Sequence, residues 1–255
     1  IINCGEVLLS RSLAFPADAI FTKQIQGRKI IQWHRRGKYL LGELSQGWLG
    51  VHLRMTGQLL WLNSHSPLQK HTRLRLFFSD EQELRFVDTR TFGKVWFIAD
   101  STAIETIITG LQKLGPEPFS ADFSLMYFQE RLRKSHRPIK TILLDQSLVA
   151  GLGNIYADEA LFLSHIHPLT IASDLTPPQV ESLRLAIIEV LGSAIASGGT
   201  SFSDFLQVTG VNGNYGGKAW VYGRKAQPCR VCHTPIDKLK LSGRSCHFCP
   251  QCQRT

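Results

Sequence analysis

Four of the six cysteines in this 255-residue chain are spaced to hold a metal ion. Cys229 and Cys232 form one C-x2-C pair and Cys249 and Cys252 a second, with sixteen residues between the pairs. Each pair offers two thiolates from one tight turn, and two such turns facing each other make a tetrahedral sulfur site. Thiolate ligation of that geometry selects zinc over hard, oxygen-seeking cations. The competing readings are two disulfides or four unrelated buried thiols. No secretory signal opens the chain, which argues against an oxidising compartment. Cys246 also lies in C-x2-C register with Cys249, so a set containing Cys246 in place of Cys252 stays open.

The same stretch is cationic. Residues 218–255 carry eight Lys/Arg and one Asp, residues 1–100 carry 14 against 8, and residues 101–217 carry 7 against 11. The sums of +7, +6 and −4 make up the net +9. Two basic ends around an acidic middle fit a polyanionic partner. A further candidate is Gly151-Leu152-Gly153-Asn154-Ile155-Tyr156, where the glycines allow a reversal between helices and Asn154 is placed to cap the second one. N–H groups at such a helix start can bind phosphate. Taken alone, this stretch is equally an ordinary helical hairpin.

The elements that must position these groups fall into three parts. Short, alternating segments run from Lys29 to Ile98: 29–33, 39–44, 48–53, 58–62, 72–78, 83–87 and 94–98. Their spacing predicts an antiparallel sandwich or flattened barrel, with a short helix at 16–26 before it. Beyond Asp100 the period becomes helical, with Ile104, Ile107, Ile108 and Leu111 on one face. Gly115-Pro116-Glu117-Pro118 marks a boundary. Helices are expected from a cap at Ser120 or Asp122 to Lys134, from Pro138 to about Leu148, and from the capping box at Thr176 to about Ser197. The glycine-rich stretch 209–217 reads as a mobile loop. The fold class expected is α+β in three domains: a β-sandwich at 1–115, a helical domain at 116–217 and a zinc finger at 218–255. With 43% hydrophobic residues and no apolar run of membrane-spanning length, the composition is that of a globular protein.

Specific runs then narrow the reading. Ile139–Gln146 followed by Gly151–Leu161 resembles the helix-two-turn-helix of bacterial formamidopyrimidine-DNA glycosylases. So do Arg35-Arg36-Gly37-Lys38-Tyr39, His52-Leu53-Arg54-Met55-Thr56-Gly57, Asp88-Thr89-Arg90-Thr91-Phe92-Gly93, and Val221-Tyr222-Gly223-Arg224 running into the cysteines and Gly243-Arg244. The resemblance covers nearly the whole chain in order.

It implies base-excision repair: removal of oxidised purines (8-oxoguanine, formamidopyrimidines) from double-stranded DNA, then cleavage at the abasic site through a Schiff base. Lys38 matches the lysine that assists strand cleavage, and Arg244 the finger arginine that assists the second elimination. Met55, Arg90 and Phe92 match residues that enter the duplex, filling the vacated space, facing the orphaned base and wedging the stack. His71, His136, Asn154 and Tyr156 match backbone contacts. One structural Zn2+ is the implied cofactor, with Cys229, Cys232, Cys249 and Cys252 as its ligands. A monomer acting in the cytoplasm, with no membrane contact, is the implied setting.

The match has two departures. Thr91 stands where many members have a second Arg. The family also begins P-E-L-P-E, whose proline amine is the nucleophile and whose following glutamate is the acid/base. Aligned by motif, Ile1 falls roughly twenty residues into the family's first segment, so residues 1–255 are expected to lack that pair and the first helix. A non-catalytic binder of damaged DNA is the alternative.

Overall fold

The computed structural model describes residues 1–199 and 213–254. The chain divides into two compact units, Ile1–Gln112 with Gly198–Asn214, and Lys113–Ser197 with Tyr215–Thr255.

The first unit is built from β1 (Ile2–Val7), β2 (Leu13–Phe15), α1 (Asp18–Ile25), β3 (Ile30–Arg36), β4 (Tyr39–Leu44), β5 (Trp48–His52), β6 (Gly57–Asn63), β7 (Thr72–Phe78), β8 (Gln82–Asp88), β9 (Lys94–Ile98) and the single turn α2 (Ile104–Ile107). Two sheets form, ordered β1-β7-β8-β6 and β2-β9-β5-β4-β3. Leu74, Leu76, Leu84 and Phe86 of the first sheet and Leu44, Leu49, Val51, Val95 and Phe97 of the second share one core with Phe21 and Ile25 of α1. The inward residues alternate along each strand, as a sandwich requires. Truncating the fully buried Phe86 to Ala would cost about 3–5 kcal/mol.

All seven expected strands are present, but β1 and β2 extend the sheets beyond the expectation. β1 pairs antiparallel with β7, whereas β2 runs parallel to β9, so the architecture is antiparallel except at that short edge. Two turns carry candidate residues into solvent. Strands β3 and β4 meet at Arg36↔Tyr39, leaving Gly37-Lys38 as a two-residue hairpin with Gly37 at φ 55°. Gly57 opens β6 where a Cβ would stand 2.4 Å from the Leu53 carbonyl oxygen, so only glycine closes that turn.

The second unit contains α3 (Leu125–Arg133), α4 (Ile139–Leu143), α5 (Asn154–Leu163), α6 (Pro177–Ala196), α7 (Tyr215–Lys218), β10 (Asp237–Leu241) and β11 (Arg244–Phe248). The apolar faces of α3 to α6 build its main core, including Phe128, Leu143, Leu161 and Ile187. Helix α6 starts as the sequence indicates: Pro177 is its first residue, and the Thr176 N–H donates to Gln179 Oε1 at 2.9 Å.

Other boundaries move. The cap of α3 is Ser124, whose hydroxyl oxygen accepts from Tyr127 N at 3.2 Å, not Ser120 or Asp122. Helix α4 stops at Leu143 because Asp145 turns the chain, accepting from Ser147 N at 3.0 Å. Gln146 then fixes the reversal, taking the Gly151 N–H at 3.0 Å and donating to the Leu152 carbonyl at 3.1 Å. Residues 209–212 of the expected loop lie outside the described residues. Its end is not a loop: Tyr215–Lys218 forms a helical turn with Tyr215 buried.

Candidate functional site

In the first unit, the candidate side chains sit on turns at strand ends. Met55 lies between β5 and β6 and is 65% exposed; Arg90 and Phe92 lie between β8 and β9, both exposed. The three meet. Arg90 Nη1 is 3.3 Å from Met55 Sδ, and the Arg90 guanidinium stands 5.0 Å from the Phe92 ring centre. An exposed sulfur, a cation and an aromatic ring brought together without a covering core form a projecting, partly apolar tip. Such a tip suits entry between stacked bases.

The sequence shows no reason why two turns 35 positions apart should meet. The structure supplies it in Asp88, which is fully buried. Asp88 Oδ1 accepts from Thr56 Oγ1 at 2.5 Å, and Oδ2 accepts from Gly93 N at 2.7 Å. His71 lies alongside. Its carbonyl accepts from Asp88 N at 2.9 Å, and its Nδ1 faces Arg73 Nη2 at 3.2 Å.

Lys38 is exposed at the tip of the β3–β4 hairpin. Beneath it, His52 is 8% exposed. Burial, then the charges of Arg54 and Lys38, push the His52 pKa down to about 4. Its Nδ1 accepts from Arg54 N at 3.0 Å, and its ring packs edge-on to Tyr39 at 4.6 Å. A neutral imidazole therefore adjoins the lysine. In the sequence His52 is visible only as part of a motif, since its burial depends on three separate strands.

In the second unit the four cysteines converge. The Sγ atoms of Cys229, Cys232, Cys249 and Cys252 all lie within 4.8 Å of one another. Cys232 is 3.4 Å from both Cys249 and Cys252, and Cys229 is 3.9 Å from Cys252. A tetrahedral ion with ~2.3 Å Zn–S bonds places its sulfurs about 3.8 Å apart, so the cluster fits one zinc. Backbone N–H groups of Val231 and Cys252 point at Cys229 Sγ and Cys249 Sγ, each at 3.4 Å. Hydrogen bonds from Thr234 pull the Cys232 thiol down to about 6, whereas burial pushes the Cys249 and Cys252 thiols up; a bound cation would draw all of them toward the thiolate. Cys246 is outside the cluster. It is buried on β11, and burial followed by the Asp158 charge pushes its thiol up to about 12. Among the described residues, the sulfurs that converge are those of Cys229, Cys232, Cys249 and Cys252, and Cys246 is not one of them.

Arg244 begins β11 and is exposed. The turn before it is Ser242-Gly243, with φ 48° and 79°; two positive values match the hairpin turn that suits strand twist. The next carbonyl, Ser245 O, accepts from Lys140 Nζ at 2.8 Å and Asn154 Nδ2 at 3.0 Å. Asn154 is therefore not the cap of α5, a position held by Gly153 without a side-chain bond. Its amide instead ties α5 to the finger hairpin. Tyr156 packs edge-on to Tyr215 at 5.6 Å, and exposed His136 faces Ser173 Oγ at 3.3 Å.

Two acids of α5 complete the attachment. Asp158 Oδ2 accepts from His247 N at 2.9 Å. Glu159 accepts from Trp220, Val221 and Tyr222 N–H groups at 2.6, 3.0 and 2.9 Å. Burial raises the Glu159 pKa against the lowering effect of those donors. Both acids sit between Ala157 and the buried run Ala160–Phe162. Paired acids inside an apolar helix face are the one sequence signal that marks them.

Three family models match successive stretches of the chain. Residues 1–95 match the formamidopyrimidine-DNA glycosylase N-terminal domain, residues 114–205 the formamidopyrimidine-DNA glycosylase H2TH domain, and residues 226–255 the zinc finger found in FPG and IleRS. The chain is 63% identical over 260 residues to the formamidopyrimidine-DNA glycosylase of Rippkaea orientalis, covering 99% of this chain and 92% of the relative. It is 64% identical over 255 residues to that of Crocosphaera subtropica, covering 99% and 90%. Among solved structures, it resembles Lactococcus lactis Fpg in complex with DNA containing an abasic site, with TM-score 0.91, 37% identity and coverage of 100% and 92%. It also resembles MutM in complex with DNA containing carbocyclic 8-oxo-G, with TM-score 0.91, 38% identity and the same coverage.

Proposed function

The chain belongs to the formamidopyrimidine-DNA glycosylase family, and on that premise we propose how its own residues serve the activity. The protein is a base-excision repair enzyme, a DNA glycosylase with abasic-site lyase activity that removes oxidised purines. Its partner is damaged or abasic DNA, as in the related complexes, and its finger holds one structural zinc.

We assign the residues as follows. Met55 fills the space of the everted nucleotide, Arg90 faces the orphaned base and Phe92 wedges the neighbouring step. The observation that carries this is the meeting of these exposed side chains on two turns. Eversion leaves a gap whose walls are apolar base faces and whose far side offers acceptors; sulfur, ring and guanidinium match those surfaces in turn. His71, His136, Asn154 and Tyr156 contact the backbone and set register without reading sequence. Arg244, on a hairpin pinned at its neighbour's carbonyl, contacts phosphate and assists the second elimination.

In the family the attacking amine is that of an N-terminal proline. Lys38 assists the cleavage that comes after attack, with neutral His52 adding no second positive charge beside it. The working divisions are 1–115, 116–217 and 218–255. The enzyme acts as a monomer in the cytoplasm, where the chromosome is. Among the described residues no helix is long and apolar enough to cross a membrane.

The activity test is release of base from a duplex carrying one 8-oxoguanine. It is run on residues 1–255 and on the same residues preceded by a relative's Pro-Glu start. Free 8-oxoguanine and a nicked strand from the second protein are expected. Tight lesion binding with no base release from either would leave a damaged-DNA binder without glycosylase activity.

A further inference from the structure

The Met55–Arg90–Phe92 tip has no core of its own to hold it in shape. Its two turns also use uncommon backbone: Arg54 has φ 56° and Thr91 has φ 59°. Non-glycine residues persist in that region only where their surroundings over-determine them. The Asp88–Thr56 pair is buried and bonded to both turns.

Its connections are dense. Thr56 Oγ1 donates to Asp88 Oδ1 at 2.5 Å and accepts from Arg90 N at 3.1 Å. Arg90 N also reaches Asp88 Oδ1 at 3.2 Å, and Gly93 N reaches Asp88 Oδ2 at 2.7 Å. The Asp88 main chain is fixed by its N–H to His71 O at 2.9 Å and by Arg73 Nε to its own carbonyl at 2.7 Å. Gly93 is confined by the same carboxylate: a Cβ there would stand 3.0 Å from Asp88 Oδ2 and 2.5 Å from Phe86 Cζ. The two residues thus span the turn carrying Met55, the turn carrying Arg90 and Phe92, and the strand start carrying His71.

We propose that Asp88 and Thr56 are positioning residues for lesion recognition, holding the two turns as one rigid tip that enters the duplex where a base has been everted. Thr56 is the latch, since its one hydroxyl both donates to the carboxylate and accepts from the Arg90 backbone across the turns. Asp88 is the anchor. Neither touches DNA. A tip ordered in advance avoids the cost of immobilising two turns at the moment of insertion. Contact with phosphates needs no such order, because counterion release acts on charge rather than on shape. Loss of the latch therefore weakens lesion binding and spares binding to intact duplex. This rests on the assignment of Met55, Arg90 and Phe92 as the inserting residues.

The experiment measures affinity for a duplex with one tetrahydrofuran abasic analogue and for the intact duplex, with folding checked by thermal melting. Thr56→Val removes the hydroxyl at constant shape, and Thr56→Ser keeps it. Thr56→Val is expected to lower the abasic-over-intact preference by about tenfold, an estimate for re-ordering a few side chains on binding. Thr56→Ser should retain the preference, and both should bind intact duplex as wild type does. If Thr56→Val melts early, Thr56→Ala takes its place. Retention of the preference by the hydroxyl-free variant overturns the proposal, as does equal loss in the valine and serine variants. Met55→Ala and Arg90→Ala separate the levels. If they too leave the preference intact, the insertion assignment itself fails. If they abolish it while Thr56→Val does not, only the latch fails.

Discussion

Lys140 and Asp158 form a buried ion pair, Nζ to Oδ1 at 2.5 Å, with 1% and 0% of the side chains exposed. The pair is a joint rather than a decoration. Lys140 also donates to Ser245 O, and Asp158 also accepts from His247 N, so each charge reaches from the helices to the finger hairpin. Removing one partner from a buried pair leaves an uncompensated charge and costs about 3–5 kcal/mol. Lys140→Ala should lower unfolding free energy by that amount in denaturant titration. It should also weaken duplex binding, because the carbonyl beside Arg244 loses a donor. A change within that of surface substitutions would deny the joint.

Zinc content distinguishes the thiols. Cys→Ser at 229, 232, 249 or 252 should release the metal, measured by mass spectrometry of the intact protein, since small metal modules fold with their ion. Cys246→Ser should keep it. Zinc loss on changing Cys246, or retention on changing Cys252, would reassign the ligands.

How much of this is legible in the sequence? The seven alternating strands and the capping box of α6 are readable because each signal is local. β1 and β2 escape such a reading, because an edge strand of mixed burial and a three-residue parallel strand lack a periodicity. The zinc set is readable up to Cys246, where spacing alone leaves two choices and the convergence of the other four sulfurs favours Cys252. Asn154 reads as a cap because type and position fit; its actual partner lies 91 residues away. Asp88, His52, Asp158 and Glu159 are visible as letters in motifs, yet their work is done through space, across strands and between helix and finger. Resemblance locates the site, and geometry shows what holds it.

The His52 pKa gives a pH test. In the fold it is held near 4 against 6.5 for the free side chain, so the unfolded chain takes up the proton first as pH falls. The stability from neutral burial is fully present above pH 6.5 and is lost as pH falls through about 4, amounting to at most about 3.5 kcal/mol. His52→Asn should remove that dependence. The difference in unfolding free energy between wild type and variant should shrink across this window, and a constant difference would contradict it. Lys38 and Arg54 are the cationic groups that face His52.

Arg244 can be tested with salt. Binding to any duplex should weaken steeply as salt rises, because cationic contacts release counterions. Arg244→Ala should reduce the slope of log affinity against log salt by about 1 and weaken intact and abasic duplexes alike. An unchanged slope would remove the phosphate contact.

The most direct measurement tracks the orphaned base itself. A duplex is prepared with 2-aminopurine opposite a tetrahydrofuran abasic analogue and titrated with protein at low salt. Insertion of the Met55–Arg90–Phe92 tip should unstack the probe and raise its fluorescence as the complex forms. Arg90→Ala and Phe92→Ala should bind intact duplex as before yet give little of that rise. An equal rise with wild type and both variants would contradict the account, placing the contact with the lesion elsewhere in the chain.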